Sequence, residues 1–179
     1  MTHGPHGLAA HRISAMTDMT PTAGRLWKRM TFEQRHRAAL AFWQDETIAA
    51  DQAQAVQLIA KHSKFRPKTV AGLDVEGKAR HLASVPTLPD DIATRLLVLY
   101  HLAAQRPMMG TFLDALGLAH ENGLIQEGNA TPDQAKLGPA VAALASSYPA
   151  ADVSIYLNTL LCHDGETWGA LQGLRGMPP

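Results

Sequence analysis

Residues 104–117, AQRPMMGTFLDALG, set an Arg-Pro pair between two apolar runs with helical spacing. Ile92, Leu96, Leu99 and Ala103 recur at i, i+4, i+7 and i+11 before the pair; Met109, Phe112, Leu113 and Leu116 recur at i, i+3, i+4 and i+7 after it. Proline holds φ near the helical value, suits the first turn of a helix and disfavours helix in the residue before it. One helix therefore ends beside Arg106 and the next begins at once.

The break recurs. DQAQAVQLIAKHSKFRP (51–67), DIATRLLVLYHLAAQRP (91–107) and DQAKLGPAVAALASSYP (133–149) align with Asp51, Asp91 and Asp133 each sixteen residues before a proline. Ala53, Ala93 and Ala135 share the third position, and LDVEGKA (73–79) lies over LDALGLA (113–119) at the same offset of 40. HENG (120–123) lies over CHDG (162–165) at an offset of 42. An aspartate at the start suits the positive end of the helix dipole, and a proline opens the second helix. The pattern predicts one helical hairpin written three times, over about 51–83, 91–123 and 133–165. In period and punctuation it resembles HEAT-type and armadillo-type repeat proteins, which implies stacked antiparallel hairpins. The resemblance covers residues 51–165 and carries no functional residue across.

The rest of the chain agrees with an all-α fold. Leu137, Val141, Leu144 and Tyr148, then Val153, Leu157, Leu160 and Leu161, continue the amphipathic spacing, and no alternating strand pattern stands out. Thr31 with Gln34, and Thr131 with Gln134, read as capping boxes. Pro139 predicts a kink or a fresh helix start. N-terminal helices over about 22–46 are expected to cover one end of the stack, and the segment after Gly165 the other. Residues 1–21, rich in His, Gly and Thr, read as a loose tail ahead of a single domain over 22–179, with Met16 or Met19 as an alternative start.

A chain of 179 residues, 46% hydrophobic and 18% charged, has the composition of an ordinary globular domain. Sixteen basic residues balance sixteen acidic ones, so the molecule as a whole has no pull toward nucleic acid or an anionic membrane. The halves differ: residues 25–80 carry eleven basic and six acidic side chains, and residues 81–179 carry four and nine. One cysteine, Cys162, excludes an internal disulfide and fits a reducing, cytoplasmic setting. No apolar run reaches the ~18 residues of a membrane span.

No motif announces a reaction. Glu33 and His36 have the E-x-x-H spacing of di-iron bundles but no second copy, and Glu33 is also set to pair with Arg37. Adjacent residues in a helix point about 100° apart, so Cys162, His163 and Asp164 do not read as a nucleophile system. His81, His120 and His163 each stand near the end of a hairpin, too far apart in a stack to share one metal. AHENGLI (119–125) carries the A-x-x-x-G-L skeleton of a helix-turn-helix, yet no recognition helix follows. No catalytic residue, metal site or cofactor is expected.

The most positive octet is KHSKFRPK (61–68). In a stack, Arg66 and Arg106 occupy equivalent turns, which makes Lys61, Lys64, Arg66, Lys68 and Arg106 the candidate binding residues for another protein or an acidic peptide. The expected role is a non-catalytic binding or regulatory module. The alternative is an enzyme or small-ligand-binding protein whose site is assembled from distant residues such as His101, Arg106 and His120. Perturbed groups converging in a pocket would mark the second.

Overall fold

The computed structural model describes residues 21–125 and 131–174. The expected N-terminal tail falls, but for Pro21, outside the described residues. Among the described residues ten helices follow in order: α1 (Ala23–Arg29), α2 (Phe32–Gln44), α3 (Ala49–Ser63), α4 (Pro67–Ala71), α5 (Val75–Ser84), α6 (Asp90–Ala104), α7 (Arg106–Leu116), α8 (Gln134–Ser147), α9 (Ala150–His163) and α10 (Gly165–Trp168). A 3₁₀ turn, Gly169–Gly173, closes the described chain. The fold is mostly helical, and no helix among the described residues is long and apolar enough to cross a membrane.

The helix starts follow local chemistry. Thr31 accepts from the Gln34 backbone N–H at 3.2 Å while the Gln34 side chain accepts from the Thr31 N–H at 2.9 Å, a complete capping box. Pro67 is the first residue of α4, Pro107 the second of α7, and Pro149 the N-cap of α9. The three aspartates are less uniform. Asp51 is the third residue of α3, Asp91 the second of α6, and Asp133 is itself the N-cap of α8, accepting from the Ala135 N–H at 3.0 Å. The expected cap at Thr131 is thus displaced by two residues, since Asp133 offers the nearer carboxylate. Pro139, expected to kink or restart the helix, lies within the span of α8, and its ring is exposed.

One expectation fails on the strand side. His120–Glu121 (β1) and Leu124–Ile125 (β2) form a two-stranded antiparallel hairpin in the register His120 with Ile125 and Glu121 with Leu124. Asn122 and Gly123 take φ of 49° and 81°, the left-handed pair that a two-residue hairpin turn requires and that Asn-Gly supplies at low cost. The segment with the helix-turn-helix skeleton is this turn.

Packing follows apolar faces. α2 lies against α5 and α6, and α7 lies against α8; each of these principal pairs joins helices from different predicted units. α2, expected at one end, is central, with Ala38, Ala39 and Phe42 fully buried. Two cores result. The first gathers α1 to α6 around Trp27, Phe42, Ile59 and Leu96, and the Trp27 indole N–H donates to the Val85 carbonyl at 2.9 Å. The second gathers α7 to α10 around Phe112, Leu144, Leu157 and Trp168. α9 joins them, sending Ile155 into the first core and Val153, Tyr156 and Leu161 into the second.

Candidate functional site

A cavity of about 360 Å³ opens where α6, α7, α9, α10 and the hairpin meet. Each helix contributes one face. Val98, His101 and Leu102 come from α6 at i, i+3 and i+4; Met109 and Leu113 from α7 at i and i+4; Tyr156, Thr159, Leu160 and His163 from α9 at i, i+3, i+4 and i+7. Gly123, Leu124 and Ile125 line it from the hairpin. Most of this lining is apolar, with Asp164, Thr167 and Trp168 bordering it beyond α9.

Among the polar residues of these walls His101 is buried, 3% exposed. Its Nε2 lies 3.1 Å from Thr159 Oγ1. The Thr159 hydroxyl donates its one hydrogen to the Ile155 carbonyl at 2.7 Å, so Oγ1 can only accept from the ring. His101 therefore carries its proton on Nε2, and Nδ1 is a bare acceptor. That atom is buried without a hydrogen-bond partner among the described residues. Burial pushes the imidazole down to about pH 3, because the cation would have to shed water with no carboxylate to replace it. The ring is neutral at physiological pH and held edge-on between Tyr100 and Tyr156, each with centroids 5.2 Å away. Burial also raises the Tyr156 phenol, which stays protonated. An aromatic chain runs on from Tyr156 to Phe112 at 5.6 Å and from Phe112 to Trp168 at 5.8 Å.

The hairpin forms one wall, and two residues singled out in the sequence, Arg106 and His120, hold it there. Arg106 Nε donates to the Leu102 carbonyl at 2.6 Å, and its Nη1 donates to the Asn122 carbonyl at 3.2 Å. His120 Nδ1 accepts from the Gly123 N–H at 3.2 Å, which leaves Nε2–H to donate to Asp114 at 3.0 Å. Gly123 sits so close to α7 that a Cβ there would stand 2.9 Å from the Arg106 carbonyl oxygen and 2.9 Å from Met109 Cβ. Leu124 and Ile125 nevertheless remain 44% and 38% exposed, apolar surface that the fold itself does not cover.

At the border, Asp164 caps α10 by accepting from the Thr167 N–H at 3.0 Å. Bonds from the Thr167 side chain and backbone hold its carboxyl below the usual range. Cys162 turns elsewhere: its thiol donates to the Pro21 carbonyl at 2.9 Å and is pushed up to about 11, first by burial and then by Asp90. Cys162, His163 and Asp164 make no nucleophile system, since a thiol held protonated is a poor nucleophile.

Of the other candidate residues, Lys61, Lys64, Arg66 and Lys68 are exposed around the end of α3 and the start of α4. Arg106 is partly buried and committed to the hairpin. Glu33 pairs with Arg37 at 3.1 Å, and His36 Nε2 lies 3.1 Å from Glu76 without hydrogen-bond alignment. Among the described residues no group of three or more His, Cys, Asp or Glu is placed to hold a metal ion. Of His101, Arg106 and His120, only His101 lines the cavity; Arg106 and His120 lie behind the hairpin and hold it in place. Sequence reasoning missed Tyr156, Thr159, Trp168 and the hairpin; the Asn-Gly pair was the available signal for the last. No protein-family model, curated protein or solved structure matches the chain.

Proposed function

We propose that the protein binds a small, largely apolar molecule in the cavity beside His101. The observation that supports this is an open apolar cavity, at the small end of the roughly 300–1,000 Å³ typical of ligand sites, bordered by uncovered Leu124 and Ile125. Binding fits the chemistry better than catalysis. His101 is held near pH 3 and occupied by Thr159, far from the near-neutral value that suits a general base. The His163 and Asp164 side chains offer the polar groups for a ligand's hydrophilic end. A cytoplasmic setting fits the protonated lone thiol. A stack of HEAT-like repeats rests on the Asp-to-Pro spacing, and the cavity does not depend on it.

The test is titration with a homologous series of n-alkanols, followed by Trp168 fluorescence in a variant with Trp27 and Trp43 replaced by Phe. Affinity is expected to rise about fourfold per added methylene, the equivalent of roughly 0.8 kcal/mol, until the cavity is full. Val98→Phe with Leu160→Phe, which narrows the cavity without adding a tryptophan, should abolish the response while the helical circular dichroism stays as in the parent protein. A response equal in parent and narrowed variant, or one without chain-length dependence, refutes the reading.

A further inference from the structure

The corner joining α3 to α4 is rich in exposed cations. Lys61, Lys64, Arg66 and Lys68 fall within eight residues, all four exposed. None makes an ion pair or hydrogen bond through its side chain among the described residues. Other cations nearby are occupied. Lys78 stacks over Trp43 at 5.5 Å, Arg80 lies 3.4 Å from Glu76, and Arg95 lies 3.2 Å from Asp51. Lys28 and Lys136 also stand exposed without a side-chain partner among the described residues, but each does so singly, whereas four such cations gather within eight residues at this corner. Phe65 stands inside it, 43% exposed, one edge against His81 at 5.3 Å.

Backbone geometry shapes the corner. Lys64 ends α3 in the left-handed conformation, φ 57°, with the Lys64 and Phe65 N–H groups both bonded to the Ala60 carbonyl. Glycine serves this position at least cost, whereas a lysine carries a strain penalty. The turn leaves Lys64 and Phe65 side by side on the exposed corner.

We propose that this corner docks a short acidic segment of a partner protein, one that carries an apolar side chain beside its carboxylates. Four unpaired cations complement a few carboxylates, and Phe65 gives the apolar residue a surface. A polyanion such as nucleic acid needs a longer basic track than one corner supplies, and the molecule as a whole has no net charge to attract it. Arg106, with its donors on Leu102 and Asn122, stays outside this surface. The corner shares no residue with the cavity, so the two proposals stand or fall separately.

The probe is a fluorescein-labelled twelve-residue peptide of Glu and Asp with one central Leu, followed by anisotropy. The full-length protein should bind it at 20 mM salt and lose about tenfold or more by 0.2 M, as exposed charges are screened. The quadruple variant Lys61→Glu, Lys64→Glu, Arg66→Glu, Lys68→Glu should lose binding altogether with little change in melting temperature. A milder set with Gln at the same four positions should do the same, and guards against misfolding of the first. Phe65→Ser should weaken the Leu peptide several-fold but leave a version with Ser in place of Leu unchanged. A twelve-nucleotide single strand and phosphatidylserine vesicles complete the comparison. No binding at 20 mM salt, binding indifferent to the charge variants, or tighter binding of the oligonucleotide or the vesicles overturns the proposal.

Discussion

At the scale of single residues, His101 departs most from ordinary behaviour. An imidazole that donates to Thr159 and leaves Nδ1 empty must be neutral, and burial enforces this down to about pH 3 against an ordinary value of 6.5. Between those values the unfolded chain takes up a proton that the folded chain refuses, so acid favours unfolding. The slope from this one group approaches about 1.4 kcal/mol per pH unit below pH 6.5, and the penalty is absent above it. His101→Leu should remove that contribution. Urea unfolding at pH 7, 6 and 5 measures it: the stability lost between pH 6 and pH 5 is expected to shrink in the variant by about that amount. Equal slopes would mean that the ring is not the buried neutral group described. The identity of this residue was legible in the sequence, whereas its burial was not. A histidine on an apolar helical face reads alike whether it meets solvent, a metal or Thr159.

At the scale of elements, the hairpin of β1 and β2 is the piece whose small size conceals its role. It contains four strand residues, too few to be stable alone, and it is held by Arg106, His120 and the fit of Gly123 against α7. Gly123→Ala combines a positive φ of 81° with a Cβ 2.9 Å from two atoms, so it strains the turn by roughly 1–2 kcal/mol or more. The expected outcome is faster amide hydrogen exchange over residues 120–125 and weaker alkanol binding, with helical circular dichroism preserved. Unchanged exchange and binding would show that the hairpin does not shape the cavity. Here the sequence held the information. Asn-Gly between His-Glu and Leu-Ile is a hairpin signal in itself, but strands of two residues are too short for an alternating pattern to show.

At the scale of the whole molecule, the two cores depend on α9. Ile155 is 7% exposed and packs into the first core, while its neighbours Tyr156 and Leu157 pack into the second. Truncating it should cost about 2–5 kcal/mol and loosen the link between the cores. Tryptophans report on each side: Trp27 and Trp43 belong to the first core and Trp168 to the second. In the parent protein the two sets should unfold with one midpoint in urea. In Ile155→Ala their midpoints should separate, and coincident curves in the variant would show that the cores are coupled through other contacts, such as the Gln34 amide on Asp152 at 2.9 Å.

The all-α class, the helix starts at Pro67, Pro107 and Pro149, the Thr31 capping box and the Glu33–Arg37 pair were determined by the sequence itself. Each is a matter of groups within about four residues of one another, and nothing distant competes with them. Which helices pair was decided only in three dimensions. α2 meets α5 and α6, and α7 meets α8, because many amphipathic faces of similar Ala and Leu content are interchangeable until they are packed together. The same holds for the cavity. His101 and Thr159 lie 58 residues apart, and Arg106, one more cation in the chain, acquires its role from the carbonyl of Asn122 sixteen residues on. Local spacing carries no record of such meetings, since they are made by the packing of whole elements.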